Sequence, residues 1–157
     1  MTIHRLSLLL LFSPLLAADG LVPEEQAAVF QAAGFQQRDG QWRQCDDPGT
    51  ASYTPGAIER VADLNGDGRP EVQLSEGSTF CHGMTGMGYS LVSRQADGSW
   101  RLMAAGTGIP TFLETRGVDG WPDIEVGGPG FCFPVLRWNG REYRLQRHQY
   151  DGRGCQP

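Results

Sequence analysis

Between residues 23 and 33 the apolar positions Ala28, Val29, Ala32 and Ala33 recur at helical spacing, with Phe30 at the edge of the stripe. Pro23 suits a first helical turn, Glu24 and Glu25 complement the positive end of the helix dipole, and Gly34 suits the position just past the C-terminal cap. These signals predict a helix over about residues 23–33 that caps the face or end of a sheet. From about residue 35 to 148 the pattern changes to short β-forming runs punctuated by turns, in a chain with 22 Gly and 10 Pro. Three hairpins are predicted, turning at Asp39-Gly40, Asp97-Gly98 and Asn139-Gly140, because a two-residue hairpin loop needs positive φ. Each carries an aromatic residue just after the turn, and these side chains are expected to pack across strands or into the core. Carbohydrate stacking by Trp42, Trp100 or Trp138 is the alternative use.

A longer internal echo organises the rest. Asp67-Gly68-Arg69-Pro70-Glu71-Val72-Gln73-Leu74 matches Asp119-Gly120-Trp121-Pro122-Asp123-Ile124-Glu125-Val126, and Phe80-Cys81 is repeated by Phe131-Cys132. Two copies of a turn, a strand, a glycine-rich loop and a cysteine are implied. The predicted fold is therefore mainly β: a small antiparallel β domain built of two related strand-hairpin units, with one N-terminal helix and two disulfides. Copies lying side by side would bring equivalent points together, so the expected bridges are Cys81–Cys132 and Cys45–Cys155. The glycine-rich loops would then form one apolar rim, and Phe80, His82, Met84, Phe131 and Phe133 are the candidate partner surface.

The first copy of the echo carries the chemistry. In Asp63-Leu64-Asn65-Gly66-Asp67-Gly68-Arg69-Pro70-Glu71, side-chain oxygens stand at relative positions 1, 3, 5 and 9, with glycine at position 6. A hard cation such as Ca²⁺ takes six to eight oxygens, and alternate residues of a tight loop can supply them. Asp63, Asn65, Asp67 and Glu71 would give side chains and Arg69 its backbone carbonyl. Position 12 is Leu74 rather than a bidentate Glu, and Pro70 opposes a helix starting inside the loop, so the loop is not an EF-hand. In the second copy Thr115 and Gly117 replace Asp63 and Asn65. One structural site is expected, with Asp119 and Asp123 serving as turn and strand-start residues that bond nearby amides.

The segment resembles the D-x-[DN]-x-D-G-x-x-[DE] loop of FG-GAP and VCBS repeats. The likeness is confined mainly to Asp63–Glu71 and its degenerate echo at Asp119–Asp123. It implies an extracellular β-rich protein in which the loop joins two strands and holds Ca²⁺, and, more loosely, adhesion or partner recognition. Glu71 departs from the usual Asp at position 9, and its longer side chain alters the reach of that ligand.

Composition narrows the function classes. Arg5, the apolar run Leu6–Leu16 and the small pair Ala17-Ala18 read as a signal peptide over residues 1–18, leaving a single β-rich domain over 19–157. The apolar run is too short to span a membrane, so no stable insertion is expected. Four cysteines behind such a leader read as two disulfides in an oxidising compartment, periplasmic or secreted. The net charge of −5, the absence of lysine and the lack of a basic stripe argue against nucleic-acid binding. There is no G-x-S-x-G elbow, no H-E-x-x-H and no phosphate loop, so no catalytic residue is assigned. The expected function is a non-catalytic, exported module with one structural Ca²⁺, which binds a protein or glycan of the cell envelope. A periplasmic inhibitor or immunity protein acting on a cell-wall hydrolase is the alternative, and a secreted hydrolase the second alternative.

Overall fold

The computed structural model describes residues 20–157, so the leader expected at 1–18 lies outside the described residues. The order is α1 (Pro23–Ala32), β1 (Gln36–Arg38), β2 (Gln41–Arg43), β3 (Thr54–Ala62), β4 (Glu71–Gly77), α2 (Thr79–His82), β5 (Met87–Arg94), β6 (Trp100–Thr107), β7 (Ile109–Arg116), β8 (Pro122–Gly127), β9 (Phe133–Trp138), β10 (Tyr143–Tyr150) and β11 (Arg153–Gly154). Every pairing is antiparallel. Strands β3-β4-β5-β6 form one sheet and β7-β8-β9-β10-β11 a second, with β1-β2 a separate hairpin. Two up-and-down units, of four and five strands, thus follow one another, and the sequence echo falls at the same place in each, in the β3–β4 and β7–β8 connections.

The layers follow from alternation along the strands. Val72, Leu74 and Val92 pack with Val29, Phe30 and Ala33 of the α1 segment, and Trp42 and Trp100 close that core at its edges. Leu91 and Met103 point the other way and meet Trp121, Ile124 and Trp138 of the second unit. The first sheet is therefore a middle layer, and β4 and β5 are buried along nearly their whole length, polar positions included. Helix α1 begins at Pro23, with Glu25 accepting a bond from the Val22 amide at 3.3 Å. It ends one residue earlier than the pattern suggested, and Gly34 takes φ +87° just beyond the cap. The aromatic residues after the turns serve packing: Trp42 stacks on Phe30 at 4.9 Å, and Trp138 lies against Tyr143 at 5.4 Å.

Two expectations are corrected. Of the three predicted turns, only Asp39-Gly40 is a two-residue hairpin loop, with φ values of +50° and +76°; a further one, Asp151-Gly152 between β10 and β11, is not among those predicted. The other two predicted turns are longer, because the strands pair as Arg94↔Trp100 and Trp138↔Tyr143. In the third, the Asn139 side chain accepts the amides of Arg141 and Glu142 and so builds the turn itself. The disulfides are Cys45–Cys81 and Cys132–Cys155, not Cys81–Cys132 and Cys45–Cys155. The cause is local tethering. Glu76 accepts the amides of Gln44 and Cys45, and Asp47 accepts the Ser78 hydroxyl, so residues 44–47 are held against the end of β4 and the start of α2. At the other end, the Cys155 amide bonds the His148 carbonyl, and His148 pairs with Pro134, which sets Cys155 over the start of β9. Each unit is stapled to its own flanking segment.

Candidate cation loop and the seam between the two units

The loop between β3 and β4 folds around its own acidic side chains. Asp63 accepts three backbone amides, from Gly66 at 2.7 Å, Asp67 at 3.2 Å and Gly68 at 2.8 Å. Those amides, the Gly68 bond foremost, hold its carboxyl below the usual range. Asn65 accepts the Asp67 amide and donates to Asp67 Oδ2 at 3.2 Å. Asp67 also receives the Arg69 guanidinium at 2.5 Å. Gly66 and Gly68, at φ +80° and +82°, permit the double reversal that turns these side chains inward.

Glu71 behaves differently. It is 1% exposed, its Oε2 accepts the Leu64 amide at 2.8 Å, and its Oε1 accepts the Ser93 hydroxyl at 2.8 Å. Burial raises its carboxyl above the ordinary value, only partly offset by those two bonds, and the charges of Asp67 and Asp63 raise it further. The loop thus sets the Asp67 and Asp63 charges close enough to oppose the ionisation of Glu71. Arg69, on Asp67, is its one ion-pair partner among the described residues.

The second unit answers the same problem with arginine. Asp123, the counterpart of Glu71, is 0% exposed. It takes Arg137 Nε and Nη2, both at 2.8 Å, Arg147 Nη1 at 3.0 Å and Thr115 Oγ1 at 2.6 Å. Burial opposes its charge, but the Arg137, Thr115 and Arg147 bonds prevail and hold the carboxyl well below its usual range. The expectation that Asp123 would bond nearby amides is therefore corrected. The registers make the comparison direct: Glu71 pairs with Ser93, and Ile124↔Leu136 places Asp123 opposite Arg137. One unit faces its buried carboxylate with a hydroxyl, the other with a guanidinium. Only position 71 and its echo hinted at this in the sequence, since Arg137 and Arg147 lie on distant strands.

The two echoed loops meet at the seam. Gly120, at φ +75°, approaches so closely that an added Cβ would stand 2.7 Å from the Asn65 carbonyl oxygen. Arg116 Nη1 bonds the carbonyls of both Leu64 and Gly120. Asp67 and Asp119 consequently line one cleft.

For a hard cation, the donor chemistry of the first loop fits: Asp63, Asn65, Asp67 and Glu71 offer oxygen only, and Arg69 a carbonyl. Among the described residues, no three His, Cys, Asp or Glu side chains converge as a ready metal cluster. The Arg69 guanidinium occupies Asp67, and the Asn65 amide nitrogen faces Asp67. Binding requires Asp67 to leave Arg69 and Asn65 to turn its oxygen inward.

The expected partner surface divides. Phe80, Met84 and Phe131 are 64%, 90% and 79% exposed. His82 is half-buried, its Nδ1 beside Thr107 Oγ1 at 3.1 Å and its ring so close over Gly88 that a Cβ there would clash. Phe133 is half-buried and, like Phe131, packs on Tyr150. Gly128 lies against Thr85, so the glycine-rich loops are neighbours without a shared disulfide. No helix among the described residues is long and apolar enough to cross a membrane. No family model, curated protein or solved structure matches the chain.

Proposed function

We propose that this chain is an exported, non-catalytic β module whose 63–71 loop is stabilised by one Ca²⁺ and whose exposed Phe80, Met84 and Phe131 rim docks a protein of the cell envelope. The observation that carries the cation reading is the contrast between the two units. Buried Asp123 has two guanidiniums, whereas buried Glu71 has a hydroxyl and an amide and stands among like charges. A divalent ion supplies the missing positive charge and fixes the β3–β4 crossing. Asp63, Asn65, Asp67, Glu71 and the Arg69 carbonyl would hold it. The two disulfides favour an oxidising compartment, periplasmic or extracellular.

Thermal unfolding with and without Ca²⁺ tests the ion. Saturating a site a hundredfold above its Kd adds about 2.7 kcal/mol, a rise in Tm on the order of 10 °C. Asp63→Ala and Glu71→Gln should abolish the rise. A Tm that ignores millimolar Ca²⁺ and chelator alike refutes the cation. Capture of one envelope protein by the wild type, lost on triple serine substitution of Phe80, Met84 and Phe131, is the expected result for the rim; undiminished capture refutes it.

A further inference from the structure

The cleft where the echoed loops meet has features that neither packing nor a cation explains. It encloses about 360 Å³ and is lined by Arg69, Arg94, Arg101, Asp67, Asp119, Trp121 and Trp138, among others. Arg69 and Arg101 bring two guanidiniums to it in a chain of net charge −5, whereas the Arg94 guanidinium lies on Glu25 of α1 and over Trp100. Each of the two is anchored by part of its fork: Arg69 on Asp67 and the Arg94 carbonyl, and Arg101 on the Arg141 carbonyl. Arg69 Nη1 and Arg101 Nε and Nη1 donate to no described residue. The Arg101 guanidinium also stands 5.7 Å from the centre of the Trp138 ring, which holds it in place.

Across from them is Asp119. Its backbone is in the left-handed region at φ +54°, and its carboxylate accepts no hydrogen bond from a described residue. Gly120 is pressed onto the Asn65 carbonyl, so Asp119 is locked beside its equivalent, Asp67. Trp121 and Trp138 are buried and give the cleft an apolar floor.

We infer that this seam cleft binds one acidic sugar residue of the uronic acid type. A carboxylate suits the guanidinium forks, which bind it in paired, charge-assisted bonds. The Asp67 and Asp119 carboxylates are acceptors, so a ligand that also donates suits them, and ring hydroxyls do so. The C–H face of the ring suits the tryptophan floor. A simple carboxylate such as acetate satisfies the arginines but leaves Asp119 without a donor, and phosphate offers no C–H face to the tryptophans. The volume lies within the usual range for a small-molecule site. The cleft shares Asp67 and Arg69 with the cation loop, but Arg101 and Asp119 belong to the cleft alone, so variants at those two positions, without added Ca²⁺, separate this inference from the calcium reading.

Titration with D-galacturonate in buffer without added Ca²⁺, read by tryptophan fluorescence and proton–nitrogen NMR, tests it. The expected result is saturable binding at millimolar ligand, with amide shifts centred on Arg101, Asp119 and Trp121. Arg101→Gln and Asp119→Asn should each weaken binding about tenfold. Both side chains are exposed, and asparagine tolerates the left-handed backbone, so an unchanged Tm checks that the variants remain folded. Glucose, acetate and phosphate should bind more weakly. Equal binding of acetate or phosphate would reduce the cleft to a plain anion site and overturn the inference. So would galacturonate binding that survives both substitutions, or no saturable binding.

Discussion

Replacing Arg137 with methionine isolates the charge argument on which the cation reading stands. Asp123 is fully buried and takes two of its four polar contacts from Arg137. Breaking a buried pair by removing one partner costs about 3–5 kcal/mol. The figure here is discounted, because the Arg137 side chain is 34% exposed and Arg147 and Thr115 remain on the carboxylate. A loss of about 2–3 kcal/mol is expected. At roughly 3 °C per kcal/mol for a chain of this size, Tm should fall by about 6–9 °C. Urea unfolding followed by fluorescence is a suitable assay, since Trp121 and Trp138 lie in the core beside the pair. Adding Asp123→Asn should restore about 1 kcal/mol relative to the sum of the single variants, as the stranded charge is then gone. A cost below about 0.5 kcal/mol for Arg137→Met would refute the reasoning, because that is the scale of an ordinary surface change. Such a result would also remove the argument from Glu71, which occupies the matching position in the first unit.

Gly117→Ala should destabilise by about 2 kcal/mol in the same assay, since a Cβ there would meet the Trp138 carbonyl oxygen at 2.4 Å and the Arg137 Cγ at 2.9 Å. Non-reducing peptide mapping should recover Cys45–Cys81 and Cys132–Cys155; with separations of 36 and 23 residues, loss of either bridge should cost about 3–4 kcal/mol in the chain-entropy picture. Stability should fall as pH drops below about 4. Burial works against the Asp47 charge, but bonds from Ser78, Thr50 and Gly49 hold its carboxyl down at about 2, and Asp123 is depressed as well. Both therefore contribute stability above the unfolded carboxylate range and lose it as pH falls through that range towards their folded values. Asp47→Asn should flatten the acid limb of a Tm-against-pH profile, and an unchanged limb would contradict its role.

Much of the architecture was legible before any coordinates. Pro23, the paired glutamates and Gly34 mark a helix through local capping chemistry. The Asp67–Leu74 and Asp119–Val126 echo marks two units through repetition, and the units appear as consecutive antiparallel sheets with the echo at equivalent turns. The side chains of Asp63, Asn65 and Asp67 fold back onto the loop's own amides, where Gly66 and Gly68 take positive φ. The inferred side-by-side placement of the units misled the disulfide assignment.

Local signals, those that act within a few residues, thus determined the helix, the turns, the repeat and the donor set of the loop. The tertiary structure decided which distant groups share a place. It put Cys45 beside Cys81 through Glu76 and Asp47, Arg137 and Arg147 on Asp123, a hydroxyl opposite Glu71, and Asp119 next to Asp67 across the seam. The physical reason is that charge compensation and cross-linking depend on through-space distance. In stacked antiparallel sheets that distance is set by register and layer packing, which a linear pattern of residues does not record.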